Sequence, residues 1–269
     1  MKLGLGSWAC AWNIGVPGHE PVQPMDACGL IRLAASHGLR LVQIADNLPL
    51  QSYSAEELAH IHAVAQDEGV DLELGTRGIQ PDHIRRYLEV CGLFKSSILR
   101  VVVDTATAQP TESEIVETVS YLAPEIGAAG VTLAIENHDR FEAAVFARMI
   151  DHIGSDHVGI CLDTVNSFGA LEGPAVVIDT LAPYVVNLHL KDFVVRRHPS
   201  MMGFEITGAP AGQGRLDIVS LLATLRAHGR NPNAILEHWP TPEASIDETI
   251  AKEREWVAAS VSYLQTIIP

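Results

Sequence analysis

Eight apolar, β-branched runs alternate with eight amphipathic stretches along the whole chain, and no other feature restricts the fold as tightly. The runs are LGLGSWA (3–9), LRLVQIAD (39–46), DLELGTRG (71–78), ILRVVVD (98–104), VTLAIENH (131–138), VGICLDTVNS (158–167), VVNLHLKDF (185–193) and NAILEHW (233–239). The stretches lie near 25–37, 54–68, 80–93, 112–129, 141–153, 173–182, 216–228 and 243–266, with apolar residues at three- and four-residue spacing. Pro81 and Pro174 suit first helical turns, whereas Gly38, Gly69, Gly130, Gly154 and Gly229 suit helix ends. Strict alternation implies parallel strands joined by right-handed crossovers. Eight units without a break in composition predict an α/β fold, a single (β/α)8 TIM barrel over residues 1–269, rather than a doubly wound open sheet.

Composition narrows the function classes. No apolar run reaches the ~18 residues of a membrane span, so no membrane partner is expected. The N-terminus enters the first strand without the apolar stretch and cleavage site of a signal peptide, which predicts a cytoplasmic protein. A net charge of −15 argues against a nucleic-acid partner. Cys10, Cys28, Cys91 and Cys161 show no CxxC spacing and read as reduced thiols. An acidic barrel of this kind is compatible with a monomer or a homo-oligomer.

The last four runs each turn polar at their C-terminal ends, at Glu136, Asp163, His189 and Glu237. A barrel brings such ends together above its C-terminal face. Burying these groups costs several kcal/mol unless they are compensated. Three carboxylates and one imidazole suit a hard or borderline divalent ion: Mn²⁺ first, with Mg²⁺, Co²⁺ or Zn²⁺ as alternatives. Singly, each has a plainer explanation. Asp163 could cap the next helix, His189 could be a hydrogen-bonded core residue, and Glu136 and Glu237 could pair with Arg140 or Arg215. The stretch 194–215, rich in Gly, Pro and Met, reads as a long irregular loop over the same face. Gly212-Gln-Gly214 within it could offer backbone N–H groups to a hydroxyl or phosphate.

These residues resemble the xylose-isomerase-like (β/α)8 superfamily, nearest its ketose 3-epimerase and hydroxypyruvate isomerase branch. Glu136-Asn-His-Asp-Arg-Phe-Glu142 is similar to that family's Glu-x-x-Asn-Arg-Phe/Tyr-Glu segment. Asp163-Thr164, His189, the glycine turn before Asp217, and Glu237 also resemble it. The resemblance implies one divalent ion held by Glu136, Asp163, His189 and Glu237. It further implies acid–base work by Glu136 and Glu237 on a small keto-sugar, and an isomerase or epimerase acting through an enediolate. A lyase or dehydratase on a keto-cyclitol, dehydroshikimate-like or 3-keto-sugar substrate is the alternative, because the same ligands serve both. An endonuclease-IV-like repair enzyme or a non-catalytic sugar-binding barrel fits the acidic charge and complete ligand set less well.

Substrate contacts are expected from Trp8, His138, Glu142, Asn166, Lys191 and Arg196. Asn166 stands where the family's epimerases carry His. Arg196 follows the position, here Val195, where they carry Arg. The His-Leu-Lys-Asp run at 189–192 resembles dehydratase-like members. Surface or packing roles compete at Trp8, His138 and Glu142, and an internal ion pair with a barrel Asp or Glu competes at Lys191.

Overall fold

The computed structural model describes residues 1–268. In chain order the strands are β1 (Leu3–Gly6), β2 (Leu41–Ile44), β3 (Asp71–Arg77), β4 (Ile98–Val102), β5 (Thr132–Glu136), β6 (Val158–Asp163), β7 (Val185–Leu190), β8 (Asp192–Arg197), β9 (Phe204–Ala209) and β10 (Asn233–Leu236). The helices are α1 (Ala11–Ile14), α2 (Ala27–Ser36), α3 (Ala55–Glu68), α4 (Pro81–Phe94), α5 (Glu112–Ala128), α6 (Ala143–Ile153), α7 (Pro174–Leu181), α8 (Ile218–Ala227) and α9 (Ile246–Leu264). Eight parallel strands close a barrel in the order β1-β10-β7-β6-β5-β4-β3-β2, as the alternation predicts. β8 and β9 form a separate antiparallel hairpin.

Local chemistry sets the element ends. Ser54, Thr111 and Ser245 each open a helix with a capping box closed by Glu57, Glu114 and Glu248. Pro81 and Pro174 occupy first helical positions, and Gly69 and Gly154 end α3 and α6 in the left-handed conformation. Tyr87, Phe146 and the buried Leu and Ile residues fill the layer between strands and helices. Glu253 of α9 accepts from the backbone N–H groups of Trp12 and Asn13, both at 3.0 Å, tying the last helix to the first turn. Burial raises its carboxyl to about 7 despite those two donors.

Two expectations need correction. The stretch after the seventh strand is not an irregular loop: residues 192–209 contain the β8–β9 hairpin, and only its tip and the segment before α8 are irregular. Val194, Val195, Phe204 and Ile206 are good strand formers, and they outweigh the Gly, Pro and Met that suggested a loop. The N–H groups of Gly212 and Gly214 do not face a ligand. Both donate at 2.9 Å to Oδ2 of buried Asp192, while Leu216 and Phe193 donate to its Oδ1 at 3.0 and 2.8 Å. One carboxylate thus folds the glycine turn onto the root of the hairpin. A Cβ at Gly214 would lie 2.1 Å from Asp192 Oδ1 and 2.4 Å from the Phe193 carbonyl, so the turn requires glycine there.

Candidate active site

Glu136 closes β5 and Asp163 closes β6. His189 is the penultimate residue of β7, and Glu237 follows β10. All four are essentially inaccessible to solvent. His189 Nδ1 is their meeting point: it lies 3.4 Å from Glu136 Oε2, 3.4 Å from Glu237 Oε2 and 3.9 Å from Asp163 Oδ2.

A chain of amides fixes the imidazole. Gln43 on β2 donates its Nε2 to Glu73 at 3.2 Å and to Asn187 at 3.0 Å, so its oxygen faces His189. His189 Nε2 must then be the protonated nitrogen, donating to Gln43 Oε1 at 2.7 Å. Nδ1 is left with a lone pair aimed at three carboxylates. Orienting a ligand histidine through its other nitrogen is common in metal sites.

His189 Nδ1 and Glu237 Oε1 are buried without a partner, and Asp163 Oδ2 and Glu237 Oε2 have only the Lys191 ammonium, at 2.7 and 2.9 Å. Unpartnered atoms of this kind are expensive in a folded chain. Three oxygens and one imidazole nitrogen would satisfy them around a single divalent ion, so the residues fit the group expected from the sequence. Charge points the same way. Burial opposes a positive ring at His189, but Glu237 and Glu136 outweigh it and raise its proton affinity. The space beside Nδ1 favours a cation of either kind.

Asp163 uses its two oxygens differently, and it bonds the turn after β6 without being the N-cap of a helix. Oδ1 accepts from the N–H groups of Val165 and Asn166, both at 2.9 Å, and Oδ2 faces the cluster. Asn137 holds the end of β6 in place by bonding the Asp163 backbone at 2.7 and 2.9 Å.

Glu136 is occupied on both oxygens. Asn166 Nδ2 donates to Oε1 at 2.7 Å, and the buried Arg100 Nε donates to Oε2. Neither Arg140 nor Arg215 is its partner; Arg140 instead pairs with Asp104. Arg100 also reaches Asp46 at 2.7 Å, and Arg77 meets the other Asp46 oxygen at 3.1 Å. Burial pushes the Asp46 carboxyl up, but Arg100 and Arg77 prevail and hold it at about 2. Arg100, Asp46 and Gln43 were not anticipated. The signal was an arginine inside ILRVVVD, together with a glutamine and an aspartate inside LRLVQIAD.

Lys191 Nζ lies 2.7 Å from Asp163 Oδ2 and 2.9 Å from Glu237 Oε2. Burial opposes its charge, yet Asp163 and Glu237 keep it an ammonium far above the ordinary lysine range. For Glu237 burial likewise raises the pKa, and His189, Lys191 and Arg100 override it and keep the carboxyl ionised. Thr164 Oγ1 clamps the Lys191 backbone through bonds of 2.7 and 3.0 Å.

A cleft of about 350 Å³ opens beside Lys191, walled by Trp8, Val165, Asn166, Phe168, Ile206 and Trp239. Of the expected substrate contacts, Trp8, Asn166 and Lys191 meet here. Trp8 Nε1 points at Asp46 at 3.4 Å. The other three stand apart from this cleft. His138 bonds Asp139 at 2.5 Å. Glu142 is exposed at the N-cap of α6, where no side-chain cap bond forms. Arg196 is exposed on β8 opposite Glu205, with its side chain on the hairpin face away from Ile206. A larger hollow of about 520 Å³ lies at the N-terminal end of the barrel, between Lys2, Asp71, Glu73 and Lys95. None of the carboxylate–histidine cluster lines it, whereas Lys191 joins the smaller cleft to Asp163 and Glu237.

Comparison with known proteins agrees with this geometry. Residues 31–260 match the family model for the xylose isomerase-like TIM barrel. A 3-oxo-isoapionate decarboxylase of Pectobacterium atrosepticum is 35% identical over 271 residues, covering 100% of this chain and 97% of that protein. Among solved structures, a D-psicose 3-epimerase determined in the presence of D-fructose superposes with a TM-score of 0.74 at 18% identity, covering 100% and 99% of the two chains. A xylose isomerase-like protein of Mycobacterium smegmatis in complex with magnesium gives 0.71 at 14% identity, covering 97% of each. No helix among the described residues is long and apolar enough to cross a membrane.

Proposed function

Because the chain belongs to the xylose isomerase-like TIM barrel family, we propose that it is a divalent-metal-dependent lyase that removes CO2 from a 3-oxo sugar acid. The observation that carries this reading is the asymmetry of the two glutamates. Epimerisation needs two free bases on opposite faces of the substrate. Here Glu136 has both oxygens engaged by Arg100 and Asn166, whereas Glu237 Oε2 faces the Lys191 ammonium at 2.9 Å and its Oε1 has no partner. One proton carrier beside an ammonium suits bond cleavage to an enolate better than two-base proton exchange. The decarboxylase relative supports the same class.

Glu136, Asp163, His189 and Glu237 would hold the ion, with Mn²⁺ the first choice. When bound, it would polarise a substrate carbonyl and stabilise negative charge developing on its oxygen. The residues supply the rest. Trp8, Phe168, Ile206 and Trp239 wall a largely apolar cleft that accommodates neutral CO2 as it forms. As the C–C bond to the carboxylate breaks, its electron pair moves onto the former carbonyl oxygen. The Lys191 ammonium stands beside that charge. Glu237 then relays to the carbon a proton drawn from the Lys191 ammonium 2.9 Å away, which is replaced from solvent once CO2 has left.

The isomerase or epimerase reading keeps one supporting observation: Glu136 and Glu237 each lie 3.4 Å from His189 Nδ1. An assay in D2O with Mn²⁺ separates the two. The proposal predicts one CO2 per 3-oxo sugar acid consumed and no deuterium uptake into unmodified ketoses. Deuterated, epimerised ketose without CO2 would overturn it.

A further inference from the structure

Charge at the barrel mouth assigns Lys191 a second task, which rests on the metal-dependent reading above. Four carboxylates, Asp46, Glu136, Asp163 and Glu237, meet three cations, Arg77, Arg100 and Lys191. Asp104 and Arg140 form their own pair alongside and leave this balance unchanged. Within this ion-paired set one carboxylate is in excess, and a divalent ion turns that into one excess positive charge; buried Asp192 stands outside the set, its carboxylate held by four backbone N–H groups. A neutral sugar leaves this charge unmatched in a buried site, whereas a singly charged sugar acid cancels it. Decarboxylation preserves the match, because the enolate carries the same single charge as the acid.

Lys191 is also placed to enforce this order. Its Nζ sits within 3 Å of Asp163 Oδ2 and Glu237 Oε2, two of the oxygens the ion needs. An ammonium and a dication repel each other and cannot both hold these oxygens at short range. Lys191 lines the cleft, and its flexible stem already brings Nζ to 3.5 Å from Asn166 Oδ1, on the substrate side. We infer that Lys191 couples metal binding to anion binding: it yields Asp163 and Glu237 to the divalent ion, and its ammonium turns into the cleft to take the anionic group of the substrate. Ion and anion then strengthen each other's binding reciprocally.

The test is a calorimetric Mn²⁺ titration of the wild-type protein and Lys191→Met. Each is run alone, with threonate as a sugar acid lacking an oxo group, and with neutral threitol, correcting for complexes formed in buffer. Lys191→Met is expected to bind Mn²⁺ about tenfold more tightly than wild type. Threonate is expected to tighten wild-type Mn²⁺ binding by about tenfold, with Mn²⁺ tightening threonate binding equally, while threitol does nothing and the variant shows no threonate effect. Wild-type Mn²⁺ binding that threonate leaves unchanged, or that the variant retains at equal or lower affinity, would overturn the coupling alone. The threonate arm uses wild-type protein, so the inference stays testable even if the variant misfolds. No specific Mn²⁺ binding by the wild type would overturn the metal reading and the coupling together.

Discussion

Glu237→Gln lowers turnover by about a thousandfold while the barrel stays folded, as expected for loss of a proton-transferring carboxylate. The substitution is nearly isosteric, which matters because Gly6 packs against this side chain: a Cβ at Gly6 would come within 3.0 Å of Glu237 Cγ. Shape is kept while charge and proton affinity are lost. Lys191 retains Asp163 Oδ2 at 2.7 Å, so the ammonium is not stranded. Steady-state kinetics on the decarboxylation substrate, with circular dichroism as the folding control, measures both halves of the expectation. Turnover near the wild-type value would remove Glu237 from proton transfer and reopen the assignment of Glu136.

Arg100→Met destabilises the protein by about 3–5 kcal/mol, because it leaves buried carboxylates without their cation. The guanidinium is 3% exposed and contacts both Glu136, at the end of β5, and Asp46, just past β2. Methionine fills similar volume but repays none of that charge. At roughly 2–4 °C per kcal/mol for a chain of this size, the midpoint of thermal unfolding falls by about 10 °C. Arg77→Met is the comparison. Its side chain is 35% exposed, and Asp46 would keep Arg100, so a much smaller loss is expected. Equal losses for the two variants would show that burial at Arg100 does not set the cost.

The clustering of Glu136, Asp163, His189 and Glu237 could be read from sequence because each ends an apolar run, and a barrel gathers strand ends wherever the intervening helices lie. The groups that tune them could not. Arg100 meets partners 36 and 54 residues away, and Gln43 meets His189 across 146 residues. Such pairs follow from strand register, which periodicity does not reveal. The hairpin shows a different difficulty. β7 stops at Leu190 and β8 begins at Asp192, so the chain changes sheet at Lys191. Spacing along a continuous strand would have carried Arg196 to the substrate. The switch leaves Lys191 in the cleft and turns Arg196 outward. The glycine turn misled in the same way, because its N–H groups serve a buried aspartate that lies 20 and 22 residues earlier. Trp8 and Asn166 were placed by their nearness to strand ends, where little chain intervenes.

Everything proposed here depends on the buried atoms of Glu237, Asp163 and His189 being ion ligands. Elemental analysis after equilibration with Mn²⁺ and removal of free ion, on wild type and His189→Ala, tests this most directly. The account predicts about one divalent ion per chain in the wild type and a near-complete loss in the variant, with both proteins folded. A wild-type protein that retains no ion, or a variant that retains as much as the wild type, would contradict it.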